Sequence, residues 1–275
     1  MNSGQQQTVR VGVVGCGAIG SVIARATDAG QVPGAVLAAV CDLHRERAES
    51  LSATLGTRAS VCDLERLIEA SDIVVEAASA SALPEIARPA LETGRTVLAM
   101  SVGALLSAPD LLALAERTSG RLLVPSGAIA GLDAVRAAAA GGLDSVTLTT
   151  RKPPAGLAGA PYLVEQGIDV AQITAPTIVF EGAASEAVKG FPANVNVAAA
   201  LSLAGIGPER TMVRIVADPA ATENSHEIEV IGEFGRLTAQ TQNRPSPDNP
   251  KTSYLAALSA VAALRGAVAQ VRIGT

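Results

Sequence analysis

The string VGVVGCGAIG, at residues 11–20, constrains the fold of this chain more than any other segment. It begins as a mostly apolar stretch, as a buried strand does, and then places Gly15, Gly17 and Gly20 at the spacing G-x-G-x-x-G. The ten residues that follow, SVIARATDAG, carry apolar side chains at helical spacing and end on a glycine. The sequence therefore predicts a strand, a tight glycine turn and a helix, in that order.

This spacing gives each glycine a separate role in binding a dinucleotide. Gly15 permits the tight turn, Gly17 lets the backbone approach a pyrophosphate, and Gly20 allows the helix to pack closely on the strand. The helix N-terminus attracts the phosphate charge. Asp42 ends the next apolar run, AVLAAVCD, 22 residues after Gly20, where a carboxylate can accept hydrogen bonds from ribose hydroxyls. A purely structural turn would not need this acidic residue. The predicted cofactor contacts in this region are Gly15, Gly17, Ala18, Ile19, Gly20 and Asp42.

The segment after Asp42 leaves the choice between NAD and NADP open. The Asp42 carboxylate favours NAD, because it repels a 2′-phosphate. His44, Arg45 and Arg47 follow closely, and an arginine at this point can accept a 2′-phosphate. The same basic residues also suit the solvated start of the helix RERAESLSATLG. The predicted cofactor is NAD or NADP, with NAD preferred.

Strands and helices alternate through the first half of the chain. Apolar strands are predicted at AVLAAVCD, DIVVEAAS, TVLAMSVGAL and RLLVPSGAIAG, and helices at RERAESLSATLG, residues 84–93 and APDLLALAERTSG. Continuous apolar strands separated by helices are typical of a parallel sheet covered on both faces. The predicted fold class is α/β, with a Rossmann doubly wound parallel sheet.

The second half changes character and predicts a second, α+β domain. The segments SVTLTTRKPP, PTIVFEG, TMVRIVADP, HEIEVIGEFG and RLTAQTQN have the pattern of strands. Short connections between the later strands indicate a mixed, open-faced sheet. ASEAVKGFPANVNVAAALSLAG is helical with a break at residues 190–192, and TSYLAALSAVAALRGAVAQ is a long helix. The expected domains are a dinucleotide-binding domain at 1–135 and a substrate and dimerisation domain at 136–250, with the helix of 251–275 packing back on the first.

Composition argues against several classes of function. A net charge of −5 and 2% aromatic residues do not suit a nucleic-acid partner, which needs a basic surface and usually stacking rings. No apolar run reaches the roughly 18 residues that span a membrane, and MNSGQQQT lacks the basic and apolar regions of a secretion signal. Cys16, Cys41 and Cys62 are odd in number and form no C-x-x-C pair, so neither a disulfide framework nor a zinc site is expected. The sequence predicts a cytoplasmic protein with no metal.

His226 is the candidate acid–base residue. The chain has only two histidines, and the other, His44, belongs to the turn after Asp42. His226 lies at the start of a predicted strand, where it would share a face with Ile228 and Val230. A histidine beside an apolar face is often structural. One that titrates near neutrality can also take up the proton released when an amine or alcohol is oxidised. The residues alone leave both interpretations open.

Several uncommon strings resemble the L-aspartate dehydrogenase family over nearly the whole chain. They are GCGAIG, VVEAAS, SVGAL, PSGAIAGLDA, TRKPP, FPANVNVAAALSLAG, NSHEI and NPKTS. The order of PSGAIAGLDA, FPANVNVAA and NSHEI is the most specific part of the resemblance. It implies a homodimer in which NAD(P) binds the first domain and faces an open sheet of the second.

The resemblance also implies roles for individual residues. His226, in NSHEI, is expected to be catalytic. The further cofactor contacts that it implies are Ala78 and Ser79 in VVEAAS, Ala128 in PSGAIAGLDA, and Asn196 before VAA, with Asn194 as an alternative to Asn196.

The reaction that the resemblance implies is the oxidative deamination of L-aspartate, or its reverse. Hydride would leave the α-carbon for the nicotinamide, and water would convert the resulting iminium to oxaloacetate and ammonia with His226 as general acid and base. The dianionic substrate needs cations. Lys251 and Thr252, in NPKTS, are the preferred carboxylate contacts, and Arg151 and Lys152 are further basic residues in TRKPP. The family implies a place in pyridine nucleotide biosynthesis.

Other functions fit the same two-domain plan. A reductase of a cyclic imine or a hydroxy-acid dehydrogenase would use this fold, and a non-catalytic dinucleotide sensor would keep only the glycine turn. The intact NSHEI and NPKTS strings argue against the sensor. The expected partners are a small-molecule substrate and a second copy of the chain, rather than nucleic acid or a membrane.

Overall fold

The computed structural model describes residues 8–192, 195–246 and 249–274, and the side chains of residues 249–251 lie outside that description. Within these ranges no helix is both long enough and apolar enough to cross a membrane.

The chain divides into two compact units. Unit 1 comprises the described residues up to Pro125 together with Ala257–Ile273. Unit 2 comprises those from Ser126 to Ala256, with Gly274. The first segment of unit 1 therefore ends at Pro125, whereas the sequence predicts the domain boundary at residue 135.

The bounds of the secondary-structure elements follow the order of the chain. The strands are β1 (Val9–Val14), β2 (Ala35–Cys41), β3 (Ser60–Val61), β4 (Ile73–Glu76), β5 (Thr96–Ala99), β6 (Arg121–Leu123), β7 (Leu143–Lys152), β8 (Thr177–Ala183), β9 (Thr211–Ala217), β10 (Asn224–Gly232), β11 (Gly235–Asn243), β12 (Pro245–Ser246) and β13 (Asn249–Ser253). The α-helices are α1 (Ala18–Asp28), α2 (Arg45–Ala53), α3 (Leu64–Ala70), α4 (Leu83–Glu92), α5 (Val102–Leu105), α6 (Pro109–Arg117), α7 (Leu132–Ala139), α8 (Pro161–Glu165), α9 (Ala184–Gly190), α10 (Asn196–Ala204) and α11 (Tyr254–Val268). Short 3₁₀ helices occupy Pro154–Leu157 and Val170–Gln172.

Unit 1 is built on a six-stranded sheet in the order β3-β2-β1-β4-β5-β6. Neighbouring strands run parallel throughout, which confirms the predicted Rossmann sheet. The strands are apolar on both faces because helices cover both; every residue of β4 is buried. Since β2 and β4 flank β1 on opposite sides, the strand order reverses there. In such sheets ligands bind outside the carboxyl ends of the strands at this point.

Short elements account for the differences from the predicted pattern in unit 1. The prediction extends a strand through SVGAL, but β5 ends at Ala99 and the helix α5 follows. β3 and α3 are absent from the prediction. α3 begins where the Asp63 carboxylate accepts a hydrogen bond from the Arg66 N–H at 3.0 Å. A helix of two turns is distinguished from a loop by such local capping rather than by a long apolar pattern.

Unit 2 is built on a five-stranded sheet in the order β11-β10-β7-β9-β8. β7 and β9 are parallel and the other neighbours are antiparallel, so the predicted mixed sheet is confirmed. Burial alternates along β7 and β10, because one face packs into the core and the other is partly exposed. The core of unit 2 also holds the rings of Tyr162, Phe180 and Phe191, whose centroids lie between 5.2 and 5.6 Å apart.

The C-terminal helix α11 completes the core of unit 1. Ala260, Val261 and Leu264 are buried in one cluster with Val11 and Val13 of β1. The Arg265 guanidinium donates a hydrogen bond to the carbonyl of Gln31. Unit 2 is thus an insertion in the sequence of unit 1, between β6 and most of α11.

Candidate active site

The glycine turn after β1 has two positions that only glycine fits and one that is open. Gly15 has a φ of +95°, and a Cβ there would lie 2.4 Å from the carbonyl oxygen of Ala77. A Cβ on Gly20 would lie 1.8 Å from the carbonyl oxygen of Gly15, so the helix can approach the turn only because Gly20 has no side chain. A Cβ on Gly17 would meet no protein atom within 4 Å. These three environments match the roles of turn, close packing and phosphate approach.

The start of α1 offers donors to an anion. Gly17 is the N-cap and supplies no side chain to the helix, and Ala18 and Ile19 begin the first turn. The first N–H groups of a helix have no partner within the helix, and the helix dipole favours negative charge beside them. The residues present therefore fit a pyrophosphate at this turn.

Asp42 links the end of β2 to the glycine turn. Its carboxylate accepts a hydrogen bond from the N–H of Cys16 at 2.7 Å and another from the N–H of His44 at 2.9 Å. A carboxylate has about four acceptor positions, so two backbone donors leave capacity for ribose hydroxyls. Asp42 therefore both orders the turn and can contact a sugar.

The basic residues after Asp42 are exposed on α2 and its N-cap. Arg45 donates to Glu49, one turn further along the helix, at 2.8 Å. His44 and Arg47 are also exposed. Leu43, which the prediction does not include, is 95% exposed directly beside Asp42.

Glu76, at the end of β4, is a fully buried carboxylate that the sequence prediction missed. It accepts hydrogen bonds from the N–H groups of Ala78, Met100 and Ser101 at 2.9, 3.2 and 2.9 Å, and from the Ser101 hydroxyl at 2.9 Å. Burial raises the pKa of Glu76, although these hydrogen bonds oppose the shift. The carboxylate therefore holds together the loops that follow β4 and β5. The position of Glu76 at the end of an apolar strand is the sequence feature that could have identified it.

The loop after β4 lies against the glycine turn. The tight approach of Gly15 to the Ala77 carbonyl brings the two segments together. Ala78 and Ser79 are exposed, and the hydroxyls of Ser79 and Ser81 are 3.1 Å apart. The predicted contacts Ala78 and Ser79 are therefore beside the predicted phosphate site in unit 1.

Cys16 in this turn is not a nucleophile. Burial, the Asp42 carboxylate and Cys41 together raise the pKa of its thiol to about 12, so it stays protonated at neutral pH. Burial also raises the pKa of Cys41 and of Cys62. Among the residues that the structure describes, no group of three His, Cys, Asp or Glu side chains could hold a metal ion.

His226 lies on β10 with its side chain on the buried face of the unit 2 sheet. It is 5% exposed and shares that face with Ile228 and Val230, as the alternation predicts. The Thr150 hydroxyl oxygen is 3.0 Å from His226 Nδ1. Burial and the charge of Lys152 lower the pKa of His226 to about 3, so the ring is neutral at pH 7. The expectation that His226 titrates near neutrality is therefore wrong for the protein without ligands. Sequence alone does not reveal this degree of burial.

Lys152 ends β7 on the same face as Thr150 and is 8% exposed. Burial lowers the pKa of its ammonium group to about 8. Arg151 points to the opposite face, where it pairs with Asp218 at 2.9 Å. Of the two basic residues in TRKPP, Lys152 is the one whose charge acts on His226. Because successive side chains of a strand point to opposite faces, the sequence could have shown that Arg151 and Lys152 lie on different faces of the sheet.

The loop that contains Ala128 is tied to the strand beside His226. The Ala128 carbonyl accepts hydrogen bonds from Thr241 Oγ1 at 2.8 Å and from Asn243 Nδ2 at 2.9 Å. Thr241, on β11, is directly opposite His226 on β10. The structure therefore brings Ala128 into the same part of unit 2 as His226, through side chains that the prediction did not include.

Asn196 and Thr252 lie on other elements of unit 2. Asn196 is exposed at the first residue of α10, where Val195 is the N-cap. Thr252 is half-buried on β13, which pairs with β12 in a sheet separate from that of His226. Asn194 lies outside the described residues, and so does the side chain of Lys251.

Comparison with known proteins decides the family. Residues 133–267 match the family described as aspartate dehydrogenase, C-terminal, and residues 15–125 match the NAD-binding domain of homoserine dehydrogenase. The L-aspartate dehydrogenase of Methanosarcina mazei is 51% identical over 271 residues, which cover 97% of this chain and 100% of that protein. The L-aspartate dehydrogenase of Methanocella arvoryzae is 53% identical over 97% of this chain and 99% of that protein. The chain belongs to the L-aspartate dehydrogenase family.

A solved structure supports this membership. The crystal structure of aspartate dehydrogenase from Thermotoga maritima is 25% identical and superposes with a TM-score of 0.73 over 97% of this chain and 99% of that one. The resemblance predicted from the sequence strings is confirmed. In this member of the L-aspartate dehydrogenase family the NAD-binding match includes the glycine turn, Asp42 and Glu76, and the C-terminal match includes Thr150, Lys152 and His226. The protein is an oxidoreductase that uses NAD(P).

Proposed function

We propose that this protein oxidises L-aspartate to oxaloacetate and ammonia with NAD(P)⁺, or carries out the reverse reductive amination. The observation that carries the proposal is a buried, neutral histidine, His226, with the ammonium group of Lys152 on the same face of the sheet. Both lie in the part of the chain that matches the aspartate dehydrogenase C-terminal family. A neutral imidazole can take up a proton, and a buried cation can bind a carboxylate.

The proposed reaction proceeds in two stages. NAD(P)⁺, when bound, accepts the hydride that leaves the α-carbon of aspartate, which produces iminoaspartate. His226 then takes a proton from the water that attacks the iminium carbon, and the resulting imidazolium donates that proton to the nitrogen of the carbinolamine. As the carbon–nitrogen bond breaks and the carbonyl forms, the remaining hydroxyl proton leaves with the ammonia as ammonium. Water supplies the oxygen of oxaloacetate, and the carbon–nitrogen bond breaks. His226 begins and ends this stage in its neutral form.

The proposed substrate contacts are cations and a hydroxyl. Aspartate carries two carboxylates. A carboxylate bound beside Lys152 would favour its protonated form and would also favour the imidazolium of His226, because an opposite charge within a few ångströms stabilises each. Substrate binding would therefore raise both pKa values towards the range in which proton transfer at neutral pH is efficient. Lys251 and Thr252 are further proposed carboxylate contacts.

The proposed cofactor contacts follow the same family. Gly15, Gly17 and the first turn of α1 would hold the pyrophosphate, and Asp42 the adenosine ribose, with the loop of Ala78 and Ser79 beside them. The further proposed cofactor contacts are Ala128 and Asn196. A cytoplasmic homodimer and a place in pyridine nucleotide biosynthesis complete the proposal.

The test is an absorbance assay at 340 nm with oxaloacetate, ammonium and NADH or NADPH. We expect oxidation of the coenzyme that depends on ammonium, with aspartate as the product. Oxidation of NADH by oxaloacetate without ammonium would indicate a hydroxy-acid dehydrogenase, and activity only on a cyclic imine would indicate that class of reductase. His226→Ala should lower kcat by about 10²- to 10⁴-fold while the affinity for NADH changes little. A folded His226→Ala variant with the parent's kcat would contradict the proposed role.

A further inference from the structure

We propose that Thr150 is the positioning residue that holds the His226 ring with Nδ1 against its hydroxyl and leaves Nε2 to exchange protons with water and ammonia. This inference rests on the proposed function for its chemistry, but the hold on the ring can be measured without turnover.

The backbone places the two side chains opposite each other. β7 and β10 are antiparallel neighbours, and His226 pairs directly with Thr150 in their register. Directly opposite residues of an antiparallel pair project from the same face with their Cβ atoms close together. The distance of 3.0 Å between Thr150 Oγ1 and His226 Nδ1 is that of a hydrogen bond. Both side chains are buried, at 3% and 5% exposure, so water does not compete readily for either partner.

The hydroxyl of Thr150 can keep its hydrogen bond to His226 while the ring acts first as a base and then as an acid. In the neutral ring with its proton on Nδ1, the Nδ1–H donates to Thr150 Oγ1 and the Nε2 lone pair is available. When Nε2 takes a proton from water, Nδ1–H still donates to the same oxygen. The contact therefore persists through both protonation states, and neither side chain has to turn.

The partner is also neutral. A carboxylate beside Nδ1 would stabilise the imidazolium and raise the pKa of His226. A hydroxyl orients the ring without adding charge, so burial and the charge of Lys152 keep His226 neutral in the free protein. Orientation and basicity are thereby set by different groups: Thr150 sets the first, and burial with Lys152 sets the second.

The chain offers matched variants for the test. Thr150→Val keeps the shape of the side chain but removes the hydroxyl, and Thr150→Ser keeps the hydroxyl. Thr149→Val makes the same change one residue earlier, on the opposite, half-buried face of β7. Each is measured for kcat with aspartate, for the KM of the coenzyme and for its melting temperature. Thr150→Val is also combined with His226→Ala.

We expect Thr150→Val to lower kcat by about 10- to 100-fold, which is the effect of losing one buried hydrogen bond. Thr150→Ser should restore most of the rate, and Thr149→Val should leave it unchanged. In the His226→Ala background Thr150→Val should have no further effect, because a residue that acts through His226 loses its role with it. The KM for the coenzyme should be unaffected. Equal losses in both backgrounds, or a Thr150→Val enzyme with the parent's kcat, would overturn the inference.

Nitrogen NMR separates this inference from the proposed function. The chain has two histidines, and exposed His44 serves as an internal reference for His226. In ¹⁵N-labelled protein we expect His226 to carry its proton on Nδ1, and Thr150→Val to redistribute it between the two nitrogens. If the parent has no activity with aspartate but Thr150→Val redistributes the His226 proton, the proposed function is wrong and the positioning of the ring by Thr150 is supported. An identical His226 spectrum in parent and Thr150→Val overturns the hold whatever the activity.

Discussion

Substitution of Gly17 should separate cofactor binding from folding. A Cβ at this position meets no protein atom within 4 Å, and its φ of −76° is one that other residues adopt readily. Gly17→Val therefore fills space beside the first turn of α1 without displacing the chain. Gly20→Ala is the matched control, because its Cβ would lie 1.8 Å from the Gly15 carbonyl oxygen and the backbone must shift.

The two substitutions should differ in how much they reduce folding stability and how much they weaken NADH binding. Gly17 is the N-cap of α1, and valine is a poorer N-cap than glycine by about 1 kcal/mol. That loss lowers the melting temperature of a protein of this size by about 2–4 °C. If valine prevents one hydrogen bond between a backbone N–H and phosphate, the loss of about 1.5–3 kcal/mol weakens the Kd for NADH by about 10- to 150-fold. Gly20→Ala should cost at least about 1–3 kcal/mol of folding stability through overpacking.

Fluorescence titration with NADH and thermal melts measure both quantities on the same samples. Gly17→Val should lose affinity while it melts within a few degrees of the parent, and Gly20→Ala should show the larger drop in melting temperature. A folded Gly17→Val protein that binds NADH as tightly as the parent would refute the assignment of the phosphate site to this turn.

Two further predictions concern pH and coenzyme choice. Acid should destabilise the protein through His226, because the unfolded histidine takes up a proton below its usual pKa of 6.5 while the folded ring stays neutral down to about pH 3. The free energy of unfolding should fall by up to about 1.4 kcal/mol per pH unit in that window, and a slope that His226→Gln does not reduce in urea melts would contradict the buried neutral ring. NAD should give the higher kcat/KM, with measurable turnover of NADP, because the Asp42 carboxylate opposes a 2′-phosphate that Arg45 can partly offset. A strong preference for NADP in parallel kinetics would mean that Asp42 does not have this role.

The features that a local pattern determines could be predicted from the sequence. The glycine spacing and the apolar strands led to the parallel sheet, because a tight turn and a doubly covered strand each demand particular residue types. The face that His226 shares with Ile228 followed from the period of two along a strand. Two-turn helices such as α3 were not predicted, because a single capping contact determines whether such a short segment forms a helix.

The features that depend on neighbours from distant segments could not be predicted. The hydrogen bond between Thr150 and His226 joins residues 76 positions apart, and the bonds that fix the Ala128 carbonyl come from β11. The pKa of Lys152 depends on how deeply the end of β7 is buried, which no short string encodes. The sequence favoured Lys251 instead, because its string is part of the family resemblance and burial was unknown.

The position of α11 determines which unit can complete its core first during synthesis. Ala260, Val261 and Leu264 cover part of the β1 core, yet the ribosome adds them only after the segment Ser126–Ala256 of unit 2. Domains generally fold as units during synthesis. Unit 2 can therefore become compact while unit 1 still lacks a strip of its apolar interior, and the nucleotide-binding half, although translated first, is the half whose core is completed last.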